Sequence, residues 1–185
     1  MRISKAALMS RWAWSTALAV LVFAILWFLD LRLKALSGVG TADIQAFDTA
    51  AQFRAAFWAW APQPYAVRAG FNLGFDFLLM PLYAMSFFYS GIIAAEAFAP
   101  KPGRLRRIIL LAAMMPLVGA VCDAAENTIQ ITMLLNGADD TLARLAFGVS
   151  NAKTVALTVG GVLLAAALVA RFPRRPKSEG PAIPL

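Results

Sequence analysis

The chain has 185 residues, 61% apolar and 15% charged, with a formal net charge of +7. A soluble domain carries about 25% charged residues, so this chain has too little polar surface to cover itself in water and fits a bilayer instead. There is no histidine and only one cysteine, Cys122; this excludes histidine-held haem, thiolate metal cages, an intrachain disulfide and a histidine proton shuttle.

Taken in chain order, the first apolar run is Trp12 to Leu29, preceded by Arg2, Lys5 and Arg11. A basic start before an apolar stretch resembles a signal peptide. The run is followed by Asp30, Leu31 and Arg32 rather than by a small-residue cleavage site, so the expectation is a retained helix. A long connection, Asp30 to Gly70, comes next. Within it, Ala42 to Trp60 places Ile44, Phe47, Ala51, Arg54, Phe57 and Trp58 near helical spacing. This predicts an amphipathic helix at the outer interface with its aromatics at headgroup level; the other reading is a lid over the helices.

Three further runs follow: Phe71 to Phe98 containing Pro81, Ile108 to Leu135 containing Pro116, and Leu142 to Ala170. The last carries Gly160, Gly161, Ala165, Ala166 and Ala167, small residues that let helices approach closely. Each run meets the length of about 20 residues that a hydrocarbon core requires, the first only just. The expected fold class is all-α. Residues 1–172 form a single domain, a four-transmembrane-helix bundle with an interfacial helix between its first and second spans. Residues 173–185, rich in proline, are expected to be a disordered tail.

Basic residues set the expected orientation. Arg2, Lys5 and Arg11, the loop with Lys101, Arg104, Arg106 and Arg107, and the tail with Arg171, Arg174, Arg175 and Lys177 fall on one side of four spans. That side is expected to be cytoplasmic, which places both termini there and the protein in a bacterial inner membrane. The same placement explains the positive charge without nucleic acid, for which no basic groove with interleaved aromatics is present.

The informative residues are those that membrane helices avoid. Asp123, Glu126, Asn127 and Gln130 sit at i, i+3, i+4 and i+7 on the third span, one stripe on one face. Asn72, Asp76 and Tyr83 share a face of the second span. On the fourth, Asn151 shares a face with Thr154 and Thr158, while Lys153 points elsewhere and needs its long stem to return to the bundle centre. Burying one charge costs at least about 2.5 kcal/mol on insertion scales, so these residues need a reason. All fall in the outer half of the bilayer, and three carboxylates face one lysine. Such a deficit is relieved by protonating a carboxyl or binding a cation. The plain reading is hydrogen-bonding glue between helices, with Lys153 neutralising Asp123; Asp30 reads as a mere interfacial residue.

The segments Phe75 to Ala84 (FDFLLMPLYA), Asp123 to Gln130 (DAAENTIQ) and Asn151 to Leu157 (NAKTVAL) resemble a pattern in small uncharacterised four-helix bacterial membrane proteins. A fainter similarity runs to the emopamil-binding-protein family of sterol isomerases and ligand-binding relatives, carried by Asp30 at the end of the first span and by Asp76, Pro81 and Tyr83 on the second. That resemblance implies a lipophilic ligand in an acidic pocket. The histidine of its isomerases is missing, and the third-span acids and Lys153 do not match it.

The function expected is a pocket for a lipophilic or amphipathic small molecule, with membrane lipids around it. Asp76, Tyr83, Asn72, Asn127, Gln130 and Asn151 are its expected ligand contacts. If it is an enzyme, Asp123 or Glu126 carries the proton and Lys153 is the charge partner, in isomerase- or hydrolase-like acid–base chemistry. No cofactor is expected and no metal, since the paired acidic motifs of a two-metal site are missing. The alternatives are an accessory or assembly subunit of a larger membrane complex, and a proton- or cation-coupled transporter acting as a homodimer.

Overall fold

The computed structural model describes residues 4–62, 64–96 and 103–171. The expected tail at 173–185, and Arg2 and Lys101 of the basic segments, lie outside the described residues. Five helices form: α1 (Lys5–Ser37), α2 (Ala50–Trp60), α3 (Tyr65–Glu96), α4 (Arg104–Asn136) and α5 (Asp140–Arg171). Their ends carry the expected signals. The Ser4 hydroxyl accepts from Ala7 N at 3.2 Å to start α1. Gly38 and Gly137 end α1 and α4 at positive φ, 83° and 94°, where glycine is least strained. Asp139 accepts from Thr141 N and Leu142 N at 2.8 and 3.0 Å to open α5.

The four long helices have 32 or 33 residues. They are therefore about 50 Å long, against a hydrocarbon core of about 30 Å. Each is apolar enough to cross a membrane. Large apolar side chains cover the outside, Val121 at 71% and Val169 at 69% exposure among them, and only lipid makes such a surface stable. The chain is a multi-pass integral membrane protein. α1, α4 and α5 extend past their apolar runs at both ends, and α3 at its start, because polar residues at helix ends continue the backbone ladder outside the hydrocarbon.

The bundle closes on three sides. α1 packs on α3, α3 on α4 and α4 on α5, with a diagonal contact between α3 and α5. Among the described residues α1 and α5 make no extended contact. The α4–α5 seam runs through Gly160, where a Cβ would lie 2.9 Å from Met115 Cβ and 3.0 Å from Pro116 Cδ. The proline ring thus fills the space that the missing side chain leaves.

The connection between α1 and α3 contains a helix where one was expected, and its apolar face packs on protein. It is a 3-10 turn, Asp43–Ala46, followed by α2, and it folds over one end of the bundle. α2 starts on a capping box between Thr49 and Gln52. Its aromatics turn inward: Phe53, Trp60 and the neighbouring Ile44 are fully buried against Leu33, Leu73 and Met133, and only Trp58 stands outward, 80% exposed. Helical spacing marks an apolar face but not whether lipid or protein covers it. Polar ties fix this roof: Trp60 Nε1 donates to Val39 O at 2.8 Å, and Ala50 N to Asp140 Oδ1 at 2.8 Å. Lys34 Nζ meets Asp43 Oδ1 at 2.6 Å. Burial opposes the ionisation of Asp43, but the Lys34 hydrogen bond, the Gly40 N–H and the lysine charge outweigh it and hold the carboxyl below its ordinary value. This tie is therefore present at neutral pH and is lost only on acidification through that lowered value.

The glycine seam gives a matched pair of variants. Gly160→Ala is expected to lower thermal stability in detergent by about 1–3 kcal/mol, because Ala112 O and the Pro116 ring cannot retreat. Gly74→Ala, with nothing within 4 Å, is expected to be neutral or slightly stabilising.

Candidate functional site

The third-span stripe is buried as its spacing predicts: Asp123, Glu126, Asn127 and Gln130 are 6%, 0%, 1% and 1% exposed. Opposite them α5 presents Lys153, also buried. Its ammonium lies 3.0 Å from Asp123 Oδ1 and 2.6 Å from Glu126 Oε2, and it donates to Gln45 Oε1 of the roof at 3.2 Å. The Glu126 contact is an ion pair rather than an aligned hydrogen bond, since Oε2 has no hydrogen-bond partner. With Asp123, Glu126 and Gln45 around it, the ammonium has its charge matched inside the protein. Tyr83 closes the other side, its hydroxyl donating to Asp123 Oδ2 at 3.1 Å.

A second group forms on α3. Asn127 Nδ2 donates to Asp76 Oδ2 at 2.8 Å and to Leu73 O at 3.2 Å. Asn72 Nδ2 donates to Thr41 Oγ1 at 2.6 Å, and that hydroxyl donates to Asp30 Oδ1 at 2.8 Å. Because Asp30 only accepts, Thr41 must take its other hydrogen bond from an amide N–H, and this fixes how Asn72 is turned. Asp30 also accepts from Thr41 N and Ala42 N. Gly40 is required beside it, since a Cβ there would lie 2.7 Å from both carboxylate oxygens.

These groups border one cavity of about 730 Å³ in the space between α1, α3, α4 and α5. Its polar wall carries Asp30, Thr41, Gln45, Asn72, Asp76 and Asp123, with Tyr83, Asn127 and Lys153 beside them. Its apolar wall includes Val20, Phe23, Leu79 and Leu157. Lys153 and Asp123 are each 13 residues from the roofed ends of their helices. That is about 20 Å along the axis and inside the hydrocarbon band.

Not every expected residue reaches the cavity. Glu126 and Gln130 do not line it; they stand behind, with Gln130 Nε2 donating to Glu126 Oε1 at 3.0 Å. Asn151 is exposed on the outer face of α5 and donates to Phe147 O of its own helix at 3.0 Å. The face of α5 that borders the cavity is instead Lys153, Thr154, Leu157 and Thr158. Lys153 reaches the acids directly, because it and not Asn151 lies on the face of α5 that packs on α4. Asp30, Thr41 and Gln45 were not legible as site residues. α1 continues two turns past Asp30 to Ser37, so Asp30 lies within the helix, whereas hydropathy ends the apolar run at Leu29. Its neighbours come from the roof, whose fold no local pattern encodes.

Counting donors and acceptors shows what the wall offers. Asn72 Oδ1 is buried without a partner. Asp76 uses one oxygen for Asn127. Among the described residues, its other oxygen takes no hydrogen bond. No three His, Cys, Asp or Glu side chains among the described residues come together to hold a metal ion. The wall therefore presents an excess of carboxylates and a free acceptor oxygen on Asp76, with the unpartnered Asn72 Oδ1 buried one helical turn away on α3. Searches against protein-family models, curated proteins and solved structures find no match to this chain.

Lys153→Met strands Asp123 and Glu126 without a counter-charge. We expect it to lower unfolding stability by about 3–5 kcal/mol. Adding Asp123→Asn and Glu126→Gln to that variant is expected to recover much of the loss. Thermal unfolding of the purified proteins reads both, and a single variant as stable as wild type would contradict this account of the cluster.

Proposed function

We propose that this protein binds an amphipathic small molecule within the bilayer, its hydrocarbon part against Val20, Phe23, Leu79 and Leu157 and its polar head against Asp76 and Asn72. The observation that carries this reading is the half-used Asp76 carboxylate on the wall of the large cavity, with the buried, unpartnered Asn72 Oδ1 one helical turn away. An orphaned buried acceptor costs about 1–3 kcal/mol, and helices held together by glue alone do not require it. The head that suits this wall donates hydrogen bonds or carries positive charge. A carboxylate or phosphate head would find Lys153 already paired with Asp123 and Glu126 and would meet Asp30, Asp76 and Asp123.

Any acid–base step in this pocket falls to Asp76 and Asp123, which border the cavity with Tyr83. Glu126 stands behind the wall and serves to hold Lys153. The cavity favours a ligand-handling role over that of an accessory subunit, which needs no internal space. We place the roofed end on the outer side of a bacterial inner membrane and both termini in the cytoplasm, following the basic residues at the opposite end.

Thermal unfolding in maltoside micelles with dodecylamine, dodecanol or dodecanoate separates head from chain. We expect the amine to raise the midpoint by several degrees, the alcohol by less, and the carboxylate not at all. Asp76→Asn is expected to remove the preference for amine without lowering the midpoint of the ligand-free protein. Equal shifts with amine and carboxylate would refute the assignment of the head.

A further inference from the structure

Resting on the reading of the cavity as a ligand site, we infer that its ligand comes from the hydrocarbon of the bilayer, sideways through the cleft between α1 and α5, and that the segment over the bundle is a fixed roof rather than an entrance. The occupant of the cleft is the alkyl chain of a membrane-resident amphiphile.

Four observations converge on this cleft. α1 and α5 each pack on inner helices and not on each other among the described residues, so the bundle lacks its fourth side. Both bare edges border the cavity. On α1, Val20, Phe23 and Trp27 are 62%, 55% and 55% exposed, and on α5, Thr154 and Thr158 are exposed on either side of Leu157. These positions lie mid-helix, at depths where the surrounding solvent is acyl chain. An alkyl chain leaving the bilayer for this wall exchanges one apolar contact for another, so it passes without the desolvation that a polar route would impose.

Two other routes are closed, over the top and between α1 and α3. Over the top, the roof is tied to the polar wall itself, by Gln45 to Lys153 and by Thr41 to Asp30 and Asn72. Its apolar side buries Ile44, Phe53 and Trp60 completely. Raising it would break these bonds and expose that core, whereas the cleft is already open. Towards the other end of the bundle, α1 and α3 are joined by Thr16 to Ser86 at 2.7 Å and by Trp12 Nε1 donating to Ser90 Oγ at 2.8 Å. Those two rungs add to the packing of α1 on α3, which closes that seam. The head then travels up the cleft to Asp76, and the exposed threonine hydroxyls of α5 supply polar footholds on the way.

A reversible lock on the roof tests this. Ala50 N reaches Asp140, so Ala50→Cys/Asp140→Cys in a Cys122→Ser background puts two cysteines near one another at the starts of α2 and α5, to be joined by oxidation or by a reducible bifunctional thiol cross-linker. The probe is dodecylamine carrying a diazirine in its chain, added to the full chain in phosphatidylcholine nanodiscs. The readouts are the rate of photolabelling and the labelled residues by mass spectrometry. We expect oxidised and reduced protein to label at the same rate, with adducts concentrated on Phe23 and Leu157 relative to the lipid-facing Val121. Thr158→Trp, which fills the cleft from an exposed position, is expected to slow labelling several-fold in both redox states. Loss of Phe23 and Leu157 labelling on oxidation, restored by reduction, would overturn the lateral route while leaving the site reading intact. Labelling of Phe23 and Leu157 no stronger than that of Val121 in either state would remove the site reading and this route with it.

Discussion

The ammonium of Lys153, set between Asp123 and Glu126 inside the hydrocarbon band, is the constraint on which the rest of the bundle depends. A lysine there is tolerated only when its charge is matched and polar groups surround its ammonium. Meeting that demand requires α4 to present two acids one turn apart, Tyr83 and Gln130 to occupy the remaining carboxylate oxygens, and the roof to supply Gln45. One charge thus ties together α3, α4, α5 and the loop between α1 and α3. It also sets the register of α5, because sliding or turning that helix would strand the ammonium in lipid.

The same cluster makes the cavity possible. Once α3, α4 and α5 are pinned through Lys153 and through the glycine seam at Gly160, α1 need only pack on α3. It is left standing away from α5, with space between. The excess of carboxylates that remains after Lys153 is neutralised gives that space its chemical character. Two of these acids are held by neutral partners instead: Asp30 by the roof and Asp76 by Asn127. Asp76 therefore keeps an oxygen in reserve where Asp123 does not. This difference in hydrogen bonding, more than depth or formal charge, distinguishes the proposed binding acid from the structural one.

Much of this was legible in the residues. Length and apolarity of the four runs define the spans, and the i, i+3, i+4, i+7 spacing places Asp123, Glu126, Asn127 and Gln130 on one buried face, since a helix imposes that geometry wherever it goes. What was not legible depends on how helices turn toward one another. Asn151 and Lys153 are two residues apart on opposite faces, and only the α4–α5 packing decides that Lys153 faces inward. Likewise the aromatic face of residues 42–60 suits lipid or protein equally well until Leu33, Leu73 and Met133 are seen to cover it. Asp30 looked interfacial because hydropathy stops at Leu29, yet the helix continues and the roof folds back to meet the carboxylate. Thr41 and Gln45 reach their partners across 31 and 108 residues of sequence, a separation that periodicity does not register.

The claim at the centre of this account is that the polar wall serves a ligand and is more than an attachment between helices. Its most direct test is mass spectrometry of small molecules that stay with the wild-type protein through purification in mild detergent, beside the Asp76→Asn variant prepared in the same way. The account predicts a defined amphiphile with a donor or cationic head in the wild type, absent or greatly reduced in a variant that unfolds at the same temperature. No retained molecule in either protein, with both equally stable, would contradict it and leave the acids and amides of the bundle as connections between helices alone.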